Sequence, residues 1–561
     1  MKKHLLLLLS FLTLFQTSSF SQGAYVPFNR DYYHLIERYE ILEGLHSKKL
    51  HTGFKPYRRD LLGTYLDSLA QSDKVVSAAD RFNLDYLSSD NWEFVNRDTP
   101  ASSRTLLKKI YSKPSDFYHY RDSVFDIHIN PVLYLSGGRE PSFDNFRMRN
   151  SRGFEVRGSI DRKVAFYTYM TTTQSIFPSW VKDYAEANGA VPGEGFWKRY
   201  EGEGYGYFSA MGHISFNVSK NIQAQIGHDR NFIGEGYRSM ILSDFANPYL
   251  FAKLNTKIWR FNLTNLWAQM TADVTYDGQR RPTDDRYPKK WFSHHRLGID
   301  LGKKLNVGIF ESVMMNQFDW NYINPIIFYR WVEHQLGTPD KIMLGTDAKW
   351  TFAPGMQFYG QFALDEFVFN EFFGIDGRQS SRNKYGLQAG LKYINALNIN
   401  NLDLQLEYNQ ARPYTYQEKF PYQSFTQYRT PLTHPLGANF REVVGILRHQ
   451  PAPRLFATFT GLFQYFGEDP NEAVNFGKNP LKNRLNPGTG IGLFGNRIGQ
   501  GVENRVLMGN LNLSYMIRQN VFLDFSHTYR RRAAQDLDSP QVSQFTQAGI
   551  RINMVRHDFN Y

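Results

Sequence analysis

The chain has 561 residues, no cysteine, 65 Lys and Arg against 53 Asp and Glu, and a net charge of +12. Without thiols it has no disulfide framework, no thiolate metal site and no cysteine to carry a lipid anchor. A hydrophobic content of 42% suffices for a large core, whereas a mean hydropathy of -0.49 argues against a bundle of spanning helices.

Lys2 and Lys3 precede an apolar run from Leu5 to Phe15, and Ser19 and Ser21 follow it. This is the pattern of a signal peptide over residues 1–21, cleaved before Gln22. The alternative, a membrane anchor, requires ~20 apolar residues, more than the run contains.

Residues 22–121 read as a helical periplasmic region and linker. Over 31–44, Tyr32, Leu35, Ile36 and Tyr39 fall at helical spacing, with Asp31 placed to cap the start and Gly44 to end the helix. Leu61, Leu62, Tyr65, Leu66 and Leu69 form a second stripe behind Pro56. Ser77, three residues before Asp80, opens a third helix carrying Phe82 and Tyr86. A basic linker over 97–114 follows.

From residue 122 to 561 strand signals succeed one another. Residues 153–170 read as a hairpin about Asp161, Arg162 and Lys163. In 402–409, Leu402, Leu404, Leu406 and Tyr408 alternate with Asp403, Gln405, Glu407 and Asn409, and this charged face predicts a wet lumen. Leu511 to Ile517 and Val521 to Phe525 repeat the alternation around a turn at 518–520. The chain closes on 547–561, where Ala548, Ile550, Ile552 and Met554 alternate with Gly549, Arg551 and Asn553 before Val555, Phe559 and Tyr561 take over the apolar positions. That stretch is expected to be the strand that closes a barrel in the outer membrane.

Only alternate residues of a barrel strand face lipid, so a polar average is compatible with spanning. The aromatic content, 35 Tyr and 9 Trp among 16% aromatic residues, fits belts at the membrane surfaces. Strands of about 10 residues give on the order of 16 to 20 strands, with 18 the preferred even number. The expected class is mainly β, a transmembrane antiparallel barrel with a small helical part; the alternative is a secreted β-sandwich or propeller. Polar stretches at 183–205, 277–295, 412–431 and 469–505 are expected as outward loops or lumen plugs.

No HExxH, serine elbow or Walker-type loop is present, so no enzyme and no cofactor is expected; a serine lipase on the barrel exterior is a weak alternative without a local signature. His294 and His295 are adjacent and therefore fall on opposite faces of a strand, a poor metal site. The most distinctive segment is 226–244, where Gly227, Gly234 and Gly236 surround packed charges and point to a backbone folded into tight quarters. Arg230 or Arg238 could grip a sugar carboxylate, or pair with Asp229, Glu235 or Asp244 to hold an inward loop.

This segment resembles the signature of the capsule-assembly Wzi family: Gly, an Asp-Arg pair, an aromatic residue, Gly-x-Gly, then Leu242-Ser243 and Ala246-Asn247-Pro248. Further similar stretches are Tyr322-Ile323-Asn324-Pro325 with Phe328-Tyr329-Arg330, Leu344-Gly345-Thr346-Asp347, Leu364-Asp365-Glu366-Phe367, Asn401-Leu402-Asp403-Leu404-Gln405, Arg412-Pro413-Tyr414-Thr415-Tyr416 and His434-Pro435-Leu436-Gly437-Ala438-Asn439. The family often has Trp-Gly where this chain has Ile233-Gly234, a departure at the position of a stacking surface. The resemblance implies a monomeric outer-membrane barrel of about eighteen strands that acts as a lectin for capsular polysaccharide. Its branch also includes gliding-motility outer-membrane proteins.

The positive charge favours an acidic partner, polysaccharide or lipopolysaccharide phosphate, and no nucleic acid is expected. Clusters of aromatic and basic residues suit sugars, through ring stacking and charged hydrogen bonds. The candidates are Phe196-Trp197-Lys198-Arg199-Tyr200, Lys289-Lys290-Trp291-Phe292, and Tyr414 with Tyr416, beside Asp229, Arg230 and Arg238. The competing reading places these rings in the aromatic girdle. The functions in contention are polysaccharide retention at the surface, a gliding-motility or adhesion role through other envelope proteins, and a diffusion channel.

Overall fold

The computed structural model describes residues 23–47, 50–97, 113–272, 287–338, 340–373, 380–484 and 492–561. The signal peptide, most of the basic linker and parts of the 277–295 and 469–505 stretches lie outside these residues.

Among the described residues eighteen antiparallel strands close into one barrel. In chain order they are β1 Phe125–Arg139, β2 Arg147–Ile160, β3 Val164–Ile176, β4 Gly204–Ser219, β5 Ile222–Asp229 and β6 Tyr249–Ile258. There follow β7 Phe261–Thr271, β8 Lys289–Leu301, β9 Leu305–Met315, β10 Lys341–Ala353, β11 Met356–Glu366 and β12 Lys384–Tyr393. The last are β13 Leu402–Ala411, β14 Phe440–Ala452, β15 Leu455–Glu468, β16 Val502–Arg518, β17 Val521–Ala534 and β18 Gln541–Ile552. Each pairs with the next, and β18 returns to β1 from Thr546↔Arg139 to Ile552↔Leu133.

Period two builds this wall. On β16, Leu507, Leu511 and Tyr515 are exposed while Val506, Met508, Asn510, Asn512 and Ser514 are buried toward the lumen. The same inversion recurs around the barrel, with an apolar exterior and a lumen rich in buried charge. One end carries short turns; in the 161–163 turn Asp161 and Arg162 take φ of 52° and 55°, the twist that suits a tight hairpin. The opposite end carries long loops, including 177–203, 230–248, 316–338, 412–439 and, among the described residues, 469–484 with 492–501. The 277–295 stretch becomes strand from Lys289 onward.

Three helices, α1 Arg30–Glu43, α2 Arg59–Leu69 and α3 Ala78–Asp90, close the turn end. Ser77 and Asp80 form the expected capping box on α3, and Gly44 ends α1 at φ 69°. The cap of α1 is Asn29, not Asp31: its side chain accepts from the backbone N–H groups of Asp31 and Tyr32. The helices share one apolar cluster with Met516, Phe456 and Phe522 of the wall.

The charged face of β13 is therefore not wet. Asp403 binds His34 at 2.8 Å and Arg38 at 3.0 Å, both from α1. Glu37 and Glu40 of the same helix bind Lys392 and Lys349 of the wall.

The end of the chain also departs from expectation. β18 stops at Ile552, and residues 553–561 turn back into the lumen. Two features of β1 explain this: Pro131 lacks an N–H to continue the ladder, and the edge beyond it is occupied by Tyr118–Arg121, which pairs Tyr118↔Ile129 through Arg121↔Asp126. Met554 then packs with Val132 and Tyr134, and Tyr561 lies against Tyr184 and Phe245 at the loop end. Val555, Phe559 and Tyr561 are lumen filler, not lipid-facing strand positions.

Candidate functional site

The signature segment leaves β5 at Asp229, descends into the lumen as 230–248 and rejoins the wall at β6. Its Phe232–Ile233 pairs with Phe54–Lys55 in a two-stranded ribbon inside the barrel. Wall side chains hold its backbone. The Glu407 carboxylate accepts the N–H groups of Tyr237 and Arg238 at 2.6 and 3.0 Å and the hydroxyl of Tyr359 at 2.7 Å. Gln361 accepts Met240 N–H and donates to the Ile233 carbonyl. Such close approach requires glycine. Gly234 sits at φ 130°, and a Cβ on Gly236 would lie 2.6 Å from Glu407 Oε2 and 2.7 Å from Gln388 Oε1.

The charges are mostly paired. Arg238 donates to Glu442 of β14 at 2.9 and 3.1 Å and to the Asn560 carbonyl at 2.6 Å, so its partner comes from the wall, not from Asp229, Glu235 or Asp244. Glu442 also accepts His434 Nε2–H at 2.7 Å, the tautomer fixed because Leu436 N–H points at Nδ1; burial lowers the imidazole below its ordinary value. Asp244 holds Arg30 at 2.7 Å, and Glu235 accepts the Thr52 hydroxyl and faces Lys349. Burial alone would raise the Glu37 carboxyl, but Lys392 at 2.7 Å and Lys55 at 2.8 Å outweigh it and hold it well below the usual carboxylate range.

Arg230 differs from Arg238. It donates to the carbonyls of Gly193 and Asp244 at 3.5 and 3.3 Å, its Nε is buried without a partner, and it lines a lumen cavity of about 160 Å³ with Tyr167, Tyr169, Glu194 and His557. Asp229 is buried beside it and accepts its backbone N–H at 2.7 Å.

The remaining candidates separate. Lys198–Tyr200 is a short strand paired to the start of β4 at the loop end. There Arg199 stacks over Trp197 and Tyr205 and pairs with Glu186 of α4, Ser179–Asn188, at 2.9 Å. Phe196 is half exposed and packs on Tyr428 and Tyr287, two rings from other loops whose proximity no local pattern announces. Tyr414 and Tyr416 are instead buried, donating to the carbonyls of Asn475 and Met240, so they fasten loops and present no free face. Trp291 packs against Phe318 on the outer wall, whereas Lys290 points inward to the Ser424 carbonyl. His294 bonds Ser312 and His295 bonds Glu311, on opposite sides of the wall. Glu407 and Glu442, the acceptors that organise the inward loop, were visible only as polar positions in strands.

No protein-family model and no curated protein matches the chain. Among solved structures it is similar to Wzi, an outer-membrane protein involved in group 1 capsule assembly in Escherichia coli and a carbohydrate-binding β-barrel. The match covers 95% of this chain and 100% of that one at 12% identity, with a TM-score of 0.56. The fold is Wzi-like. OprD from Pseudomonas aeruginosa also matches, over 75% of this chain and 94% of its own at 10% identity, with a TM-score of 0.39. At such identities the Wzi likeness is one of architecture.

Proposed function

We propose that this Wzi-like barrel is a non-enzymatic outer-membrane lectin of the capsule-assembly kind, which binds an acidic surface polysaccharide at its loop end and retains it on the cell. The observation that carries this reading is the filled lumen: α1, the 230–248 loop and residues 553–561 occupy it from the turn end to the loop end. A barrel so filled works at its rim rather than as a diffusion channel. Short turns mark the periplasmic side of bacterial barrels, so the long loops face outward.

At that rim the Phe196 to Tyr200 cluster offers an aromatic platform with Lys198 and Arg199 beside it, suited to a pyranose bearing carboxylate or sulfate. A gliding-motility or adhesion role would use the same rim against an envelope protein. The deciding experiment measures the division of polysaccharide between cell pellet and medium in a strain lacking the gene. Shedding at unchanged total yield is the expected result, and an unchanged division would reject retention. In the complemented strain, Trp197→Ala with Arg199→Ala should shed polysaccharide while the amount of folded barrel stays constant.

A further inference from the structure

The 316–338 loop neither enters the lumen, as 230–248 does, nor projects from the rim; it lies on the outside of the wall. On β9, Phe310 and Met314 belong to the lumen cluster, so Glu311, Val313 and Met315 face outward. Those outward residues are nevertheless buried, together with Ile342 of β10, beneath Tyr322, Tyr329 and Val332 of the loop. Trp267 Nε1 on the outer face of β7 donates to the Tyr322 carbonyl at 3.0 Å. The loop thus folds down over the exterior of β7 to β10 and ends in the short helix α5, Tyr329–Leu336.

Beneath it lies a polar pair. His295 of β8 and Glu311 meet at 3.1 Å, Tyr329 stacks on His295 at 4.2 Å, and Glu311 accepts the Tyr329 N–H at 2.8 Å. Glu311 lies six residues along β9 from Leu305, which pairs with Trp350, and Trp350 with Trp259, Phe352 and Phe358 makes a belt of exposed rings at the turn end. At about 3.3 Å per residue and a tilt of about 40°, that is about 15 Å above the belt, within an apolar band about 25 Å tall. A carboxylate and an imidazole facing hydrocarbon at that depth would be costly, and the loop covers both.

The loop's own outer face is apolar. Trp320, Ile326 and Trp331 are 78%, 77% and 75% exposed, with Phe328 beside them. The neighbouring 367–373 loop adds exposed Phe367, Phe369, Phe372 and Phe373, and the bare wall below continues through exposed Ile309. The surface is therefore continuous with the lipid-facing wall.

We infer that residues 316–338 form a strap lying in the outer leaflet, with Trp320, Ile326, Phe328 and Trp331 in contact with lipid acyl chains and the His295–Glu311 pair sealed beneath. The inference rests on the barrel standing in a membrane as proposed above. Because the chain has no native cysteine, single labelling sites test it directly. Full-length Ile326→Cys and Trp331→Cys proteins carrying a bimane label are placed in phospholipid bilayers with or without brominated acyl chains, beside Ile309→Cys on the bare wall and Asp144→Cys in a loop. The strap labels should lose emission to brominated lipid as strongly as Ile309→Cys and resist aqueous iodide, which should quench Asp144→Cys. Strap labels quenched by iodide and indifferent to brominated lipid, with Ile309→Cys still lipid-quenched, would overturn the strap alone and leave the face to water or a protein. If Ile309→Cys also escaped the lipid quencher, the membrane reading and the strap would fall together.

Discussion

Two long loops leave the same end of the barrel and take opposite courses. Residues 230–248 enter the lumen, where Met240, Ile241 and Leu242 are fully buried and the backbone is held by Glu407, Gln361 and Glu442 through Arg238. Residues 316–338 fold outward, where Tyr322, Tyr329 and Val332 are buried and the bulkiest rings remain exposed. A barrel offers two wall faces of opposite chemistry, and each loop docks on the one that satisfies it. Glycines and charges belong inside, where specific acceptors await backbone N–H groups; Trp and Phe belong outside, where contact is non-directional.

The sharpest way to break this comparison is Glu442→Leu. It strands Arg238 and His434 without their carboxylate, and removing one member of a buried pair costs about 3–5 kcal/mol. Hydrogen exchange over 230–248 should rise steeply while 316–338 is unchanged; an unaffected inward loop would mean that Arg238 does not fasten it. Gly236→Ala should cost about 1–3 kcal/mol by overpacking against Glu407 and Gln388, read as a lower unfolding temperature.

Acid should loosen the helical filler before the wall. The folded Glu37 carboxyl lies below its ordinary 4.5, so its contribution is present above that pH and is lost as pH falls through the folded value. Exchange in Arg30–Glu43, corrected for the intrinsic rate, should increase toward acid pH, and Glu37→Gln should flatten that part of the dependence. The smallest stability effect belongs to Arg199→Ala, whose exposed pair with Glu186 contributes about 0–1 kcal/mol. Polysaccharide retention should fall all the same, separating binding from folding; a parallel loss of folded barrel would make Arg199 structural.

Period-two alternation made the wall legible in the sequence, from the hairpin at Asp161 to the strand number, because every strand repeats one inside-outside code. Gly234 and Gly236 likewise announced a confined backbone. What stayed hidden depends on partners distant in the chain. Nothing near Glu407 says that it receives Tyr237 and Arg238, and nothing near Tyr414 and Tyr416 says that their rings are buried rather than offered to a sugar. The turn of residues 553–561 was obscured because Met554 keeps the strand rhythm, although the register would set it opposite Pro131 and the edge beyond Pro131 is taken by Tyr118–Arg121. The strap was obscured because loop length and aromatic content do not encode which way a loop falls.

The threaded tail ties the two ends of the barrel to each other. Residues 553–561 follow the strand that completes the ring, yet they end against Tyr184 near the opposite rim, with Arg556 beside Asp31 of α1 on the way and Asn560 beneath Arg238. They enter the lumen at the same mouth that α1 to α3 close. The tail thus joins the two ends of the lumen, bound to α1 through Arg556 and Asp31 at one end and packed on Tyr184 among the long loops at the other.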